Sequence, residues 1–178
     1  MHIIIDGYNL IRQSDTLRRY ERFSLEEGRK ALIHFMALYK RHKEHKVTVV
    51  FDGWEGGPVE EERDRQESID IIYSRRGEKA DDVIKRMVQK VGEEIVVVTS
   101  DRDIAGFVSR RGITAISSQD FEGHVSRLKI STPESLIQRV EEHEKNNDEE
   151  TRAGIKRKGP AKRLSRKQKS ALAKIRKL

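Results

Sequence analysis

The chain has 178 residues, enough for one domain of ordinary size with its own core plus appendages. It is 35% hydrophobic and 38% charged, with 37 Lys/Arg against 30 Asp/Glu, so part of it is expected to lie outside the core and a polyanionic partner is favoured. The absence of cysteine excludes disulfides, cysteine-ligated zinc and thiol catalysis; the opening MHIIIDGYNL lacks the basic start of a signal peptide and the length of a membrane span, so a cytoplasmic location is expected.

Residues 2–5 form a short apolar run that ends at Asp6-Gly7 and reads as a buried strand. Residues 25–41 carry Leu25, Ala31, Leu32, Phe35, Leu38 and Tyr39 at helical spacing, with Ser24 as N-cap and Glu26/Glu27 in the first turn. A second buried strand over 47–51 runs into Asp52-Gly53, and the polar stretch 54–66, with Gly56-Gly57-Pro58, reads as a loop. A third strand covers 69–73. A helix over 79–91 presents Ala80, Val83, Ile84, Met87 and Val91 on one face. A fourth strand over 95–99 leads into Ser100-Asp101, a helix covers 104–110 with Gly112 ending it, a fifth strand covers 113–116, and a further helix covers 133–144 after the cap Thr132. Residues 141–150 form an acidic hinge. Residues 151–178 hold 12 Lys/Arg and no acid, which leaves residues 1–150 with 25 basic and 30 acidic groups, a net of −5. This tail is expected to be disordered alone, or helical when bound.

Strands alternating with helices give an α/β class: a mainly parallel sheet of four or five strands, with helices on both faces. Ligands of such sheets bind beyond the carboxyl ends of the strands. Asp6, Asp52 and Asp101 each stand at such an end. Glu78 with Asp81-Asp82, and Asp101 with Asp103, add acids at the starts of two helices. Carboxylates held together repel, and a hard divalent cation with oxygen ligands removes the conflict while supplying hydrolytic chemistry. An aspartate after a strand also serves as a turn former, and acids in a first helical turn suit the helix dipole. The coincidence of several acids on one sheet edge is what points to a metal or phosphate site, and on this ground nuclease and phosphatase remain equal.

Four motifs in order, IIIDGYNL, VVFDG, YSRRGEKADD and VVTSDRD, resemble the NYN domain, a branch of the PIN-like nucleases, and in particular its bacterial YacP-like group, which includes a ribosome-associated endoribonuclease. The likeness runs from residue 1 to 137. It implies a Rossmann-like PIN fold over 1–144, followed by the hinge and tail at 145–178, and Mg²⁺- or Mn²⁺-dependent hydrolysis of RNA. By motif it implies Asp6, Asp81, Asp82 and Asp101 as catalytic acids. Asp6, Asp81, Asp101 and Asp103 would hold metal, and Asn9, Asp52, Glu78 and Ser100 would support them.

Tyr8 and Trp54 lie on loops beside these acids and could stack on unpaired bases or simply anchor the loops. Arg75, Arg76, Lys79 and Arg102 could hold phosphate or form an ordinary solvated face. In the tail Lys156, Arg157, Lys158, Lys162, Arg163, Arg166 and Lys167 are the expected phosphate contacts. His34, His42, His45 and His143 show no ligand spacing with the acids and read as packing or surface residues. The leading expectation is an endoribonuclease acting on single-stranded or ribosome-exposed RNA. The alternatives are a non-catalytic RNA-binding module, or a metal-dependent phosphatase or 5′ nuclease acting on structured DNA.

Overall fold

The structure is a computed structural model describing residues 1–53, 59–89 and 94–128. The expected helix at 133–144 and the basic tail lie outside the described residues. Five strands are parallel: β1 (His2–Asp6), β2 (Lys46–Phe51), β4 (Ile69–Tyr73), β5 (Ile95–Val98) and β6 (Thr114–Ile116). A sixth, β3 (Glu62–Gln66), pairs antiparallel with β4 at the edge, and the order is β3-β4-β2-β1-β5-β6. The class is thus α/β, with one strand more than the sequence suggested.

The alternation within each strand divides the core in two. Ile3 and Ile5, Val47, Val49 and Phe51, and Val96 and Val98 face one side of the sheet. There they meet α1 (Gly7–Gln13), α2 (Leu17–Glu21), α3 (Leu25–His42) and α6 (Ser118–Arg127), through buried residues such as Leu10, Leu32, Met36, Tyr39 and Phe121. Ile4, Val50, Ile72 and Val97 face the other side, against Val83 and Ile84 of α4 (Ala80–Met87) and Ile104 and Val108 of α5 (Arg102–Ser109). Each such side chain contributes about 1.5–3 kcal/mol when fully buried, so a sheet covered on both faces is the natural home for these near-continuous apolar runs. Among the described residues no helix is long and apolar enough to cross a membrane.

Part of the stretch expected to be a loop at 54–66 is strand β3, and the reason is its turn. Gln66 pairs with Ile69, leaving Glu67 and Ser68 as a two-residue connection, both at positive φ (47° and 66°). That is the double left-handed geometry of a type I′ hairpin turn, which normally selects Asn-Gly. The strain is offset from α3: Lys40 Nζ donates to the Ser68 carbonyl at 2.5 Å, and His34 Nδ1 lies 3.2 Å from Glu67 Oε2. All five β3 residues are exposed, and their charges discourage pairing with other chains at this edge.

The order of strands positions the site. From β1 the chain moves outward through β2 to β4, then returns across the sheet by α4 to β5, on the other flank of β1. The direction of winding therefore reverses between β1 and β5, where open α/β sheets leave a crevice at the carboxyl edge.

Candidate active site

Asp6 ends β1 in this crevice and is 8% exposed. It is also the N-cap of α1: Oδ1 accepts the Asn9 N–H at 3.3 Å, and Oδ2 accepts the Thr99 hydroxyl at 3.2 Å. Burial pushes its carboxyl up to about 6. The hydrogen bonds from Asn9 and Thr99 pull it back, and the negative charges of Asp81 and Asp52 push it further. Asp81, in the first turn of α4, is also raised, first by burial and then by Asp101, with Asp52 adding to the effect. Lys85 and Lys79 oppose the rise. The structure thus brings Asp6 and Asp52 within electrostatic reach of each other and of Asp81, and Asp101 within reach of Asp81.

Two of the four have structural tasks as well. Asp52 Oδ1 accepts the Ala80 N–H at 2.7 Å, so the end of β2 caps the helix that carries Asp81, in place of the positional N-cap Lys79. Asp101 caps α5 by accepting from the Asp103 and Ile104 N–H groups at 2.7 and 3.1 Å. Asp81 makes no hydrogen bond among the described residues. Asp82 and Asp103 are exposed and are not among the charges that shift Asp6 or Asp81. Glu78 is turned away to an ion-pair cluster: Oε1 accepts from Arg86, which also binds Glu61, and Oε2 stands 3.5 Å from Arg75 Nε, ion-paired without a hydrogen bond.

Asn9 and Ser100 lock the crevice. Asn9 Oδ1 accepts both the Ser100 N–H and the Ser118 hydroxyl at 2.8 Å, and the Ser100 hydroxyl accepts the Ser118 N–H at 3.1 Å. Because a backbone N–H can only donate, the Asn9 amide orientation follows: its NH₂ faces away from these partners. Thr99, 2% exposed, links two acids by donating to Asp6 and accepting the Asp101 N–H at 3.1 Å. Thr99 and Ser118 carry no acid or base and were not picked out from sequence. The T-S-D run was the available sign for the first, and nothing local marked the second.

Tyr8 is 9% exposed and packs edge-on against Phe51 at 5.2 Å, with the Arg12 guanidinium 5.4 Å from its ring. Arg75, Arg76, Lys79 and Arg102 are exposed; Lys79 acts on Asp81, whereas Arg75 pairs with Glu78. Trp54 and the tail cations lie outside the described residues. His45 is buried with Nδ1 2.8 Å from the Tyr39 hydroxyl, and His34 and His42 serve the α3 surface, none of them near the acids.

The fit of a divalent cation can be judged from the donor set. Among the described residues no three acidic or histidine side chains form a ready-made cage. The free carboxylate of Asp81 and the buried one of Asp6, both resisting ionisation, nevertheless match the manner of Mg²⁺, which takes one or two carboxylates and fills its sphere with water and substrate phosphate.

The model of the YacP-like NYN domain matches residues 3–177, so the likeness read from motifs between residues 1 and 137 extends over the basic tail as well. The uncharacterized protein YacP of Bacillus subtilis (strain 168) is 31% identical over 102 residues; the match spans 56% of this chain and 59% of that protein, less than two thirds of its length. Two crystal structures of Rae1 (YacP) from Bacillus subtilis, one of them a point mutant, superpose with TM-scores of 0.60 and 0.59 at 25% identity. They cover 83% and 84% of this chain, and 84% and 86% of theirs. With its acids gathered at the β1/β5 crevice and its sequence matched almost end to end, the chain belongs to the YacP-like NYN domain family, a nuclease-type domain.

Proposed function

We propose that the protein is a divalent-metal-dependent endoribonuclease that hydrolyses phosphodiester bonds of single-stranded or ribosome-exposed RNA in the cytoplasm. The observation that carries the reading is the pair Asp6 and Asp81, each held above the ordinary carboxylate range by burial and by negative neighbours at the carboxyl edge of the sheet. An arrangement that opposes its own ionisation is costly for a fold and is suited to a cation. Asp6 and Asp81, with Asp101 beside them, would hold a Mg²⁺ or Mn²⁺ ion, which would supply an activated water and neutralise charge on the phosphate. The chain's own residues do the rest. Thr99 and Asn9 N–H fix the Asp6 carboxylate. Asn9 Oδ1 holds the Ser100 N–H, and exposed Lys79 and Arg102 are the phosphate contacts. The basic tail adds sequence-independent affinity for RNA.

The test uses the full chain with uniformly labelled single-stranded RNA, duplex RNA and matching DNA, in Mg²⁺, Mn²⁺ or EDTA. Internal cleavage of single-stranded RNA is expected with metal only, and Asp81→Asn should remove most of it while keeping the fold. RNA bound but uncut with every metal would instead make this a binding module. Preferential cutting of structured DNA would make it a 5′ nuclease.

A further inference from the structure

Between α3 and the β3–β4 hairpin lies a cavity of about 540 Å³, within the ~300–1,000 Å³ usual for small-molecule sites. Of its lining, Tyr8, Asp52 and Tyr73 belong to the motifs discussed above. Asp52 is shared: it lines this cavity and caps the helix carrying Asp81. The cavity therefore opens beside the acids, on the face of the sheet covered by α3.

Its walls are of two kinds. One is aromatic and cationic. Tyr8 and Tyr73 line it, both packed on the fully buried Phe51 behind them, edge-on at 5.2 Å and stacked at 5.7 Å, and Arg29 lies 5.5 Å from the Tyr73 ring. Burial pushes the Tyr8 and Tyr73 phenols up and Arg29 is the charge that most opposes it in both, so the guanidinium sits near both hydroxyls. Arg29 makes no ion pair among the described residues. The other wall is the pocket-facing side of β3, where the alternation points Glu62, Asp64 and Gln66 inward. Asp64 is occupied, accepting from Gln66 Nε2 at 2.7 Å, whereas the Glu62 side chain makes no hydrogen bond or ion pair among the described residues.

We propose that this cavity is a nucleobase subsite, which holds one unpaired base of the RNA flanking the scissile phosphate and prefers amino-bearing bases to uracil. The balance of charge disfavours a phosphate, since Glu26, Asp52, Glu62 and Asp64 outnumber Arg29 and Lys30 in the lining. A neutral planar ring with N–H donors on its edge fits instead. Its face can lie against tyrosine and guanidinium, and its edge can donate to carboxylates. Adenine, cytosine and guanine each carry an amino group for Glu62. Uracil turns carbonyl oxygens to two of its three edge positions and meets repulsion there. The proposal rests on the ribonuclease reading for the role of the base, but not for its binding.

The two are separated by measuring binding without cleavage. Full-length protein carrying Asp81→Asn is titrated in EDTA with fluorescein-labelled oligo-A, oligo-C and oligo-U of equal length, at a salt concentration high enough to mute the tail. The A and C oligomers are expected to bind about tenfold tighter than U, the size of one hydrogen bond to a charged group. Arg29→Met should weaken binding of all three oligomers by a similar factor and leave most of that advantage in place. Glu62→Gln, at an exposed edge position, should narrow it by letting an amide serve uracil. Equal affinity for the three oligomers, no binding to any, or a ratio unmoved by Glu62→Gln in folded protein overturns the subsite. Cleavage assays on the unblocked chain complete the distinction. A base preference that persists in a protein that cuts nothing leaves the subsite standing and removes the ribonuclease. Cutting without base preference does the reverse.

Discussion

Asp6→Asn changes one atom at the centre of the crevice, and the structure sets both the sign and the size of its effect. The Asp6 carboxyl lies at about 6 in the fold against 3.8 for an ordinary aspartate. A group raised in this way binds its proton more tightly folded than unfolded. Its stabilising influence is complete below pH 3.8 and disappears as pH rises through 6, above which the ionised carboxylate opposes folding. At ~1.4 kcal/mol per pH unit the interval is worth about 3 kcal/mol. Asparagine keeps an acceptor for the Asn9 N–H, yet sets an NH₂ against the Thr99 hydroxyl, a loss of about 1 kcal/mol. The metal-free variant should therefore be about 2 kcal/mol more stable than the parent at pH 8. It should show no such gain at pH 3.5. Urea unfolding in EDTA at the two pH values reads this directly. Adding Mn²⁺ should then stabilise the parent far more than the variant, by about 2.7 kcal/mol at a hundred times its Kd, and RNA cleavage by the variant should collapse. A variant no more stable than the parent at pH 8 would refute the buried, strained carboxylate. Equal stabilisation of both by metal would refute Asp6 as a ligand.

Gly53→Ala should destabilise by about 1–3 kcal/mol and impair cleavage, because a Cβ there would meet the Ser74 carbonyl oxygen at 2.1 Å and push Asp52 off the Ala80 N–H; a thermal melt with a cleavage rate checks both. Ser118→Ala removes one of the two donors to Asn9 Oδ1 and should lower stability by about 1 kcal/mol while slowing cleavage severalfold; an unchanged rate would detach Ser118 from the site. Deleting residues 151–178 removes 12 Lys/Arg and should weaken RNA binding and flatten its salt dependence. Cleavage of a short RNA at saturation should survive that deletion; a salt slope identical to the full chain would exclude the tail as the electrostatic anchor.

Burial explains why much of the fold was legible in the sequence. The Ile/Val runs of β1, β2 and β5 are covered on both faces, so composition alone marks them, and the aspartate closing β1 and the one after β2 mark the carboxyl edge. β3 has no apolar residue to read. Its place comes from pairing with β4 and from a turn whose Glu-Ser sequence hides its left-handed geometry. α1 escaped because it is seven residues long and begins Gly-Tyr-Asn, and α6 because only Phe121 and Val125 of its ten residues are buried apolar anchors. The cap of α6 was visible in principle, since Ser117 three residues before Asp120 has the spacing of a capping box, and Ser117 Oγ accepts the Asp120 N–H. Within the site, sequence spacing treated Glu78, Asp81 and Asp82 as one acidic group. Helical rotation and the ion pairs of Glu78 separate them, leaving Asp81 facing the other acids.

The position of Asp81 also argues that these acids are not kept for stability. An aspartate in a first helical turn ordinarily gains 0.3–1 kcal/mol from the helix dipole, and here Lys79 and Lys85 add their attraction. Its carboxyl is nevertheless raised, so burial together with Asp101 and Asp52 outweighs every stabilising influence the local structure offers. Asp6 repeats the pattern one strand away, losing more to burial and to Asp81 and Asp52 than Asn9 and Thr99 return. If stability alone governed these positions, an amide would serve the Asp6 cap and an uncharged side chain would serve at Asp81. What an amide cannot provide is a negative oxygen facing a crevice where the protein supplies too little positive charge of its own, and that deficit is the physical basis for expecting a cation there.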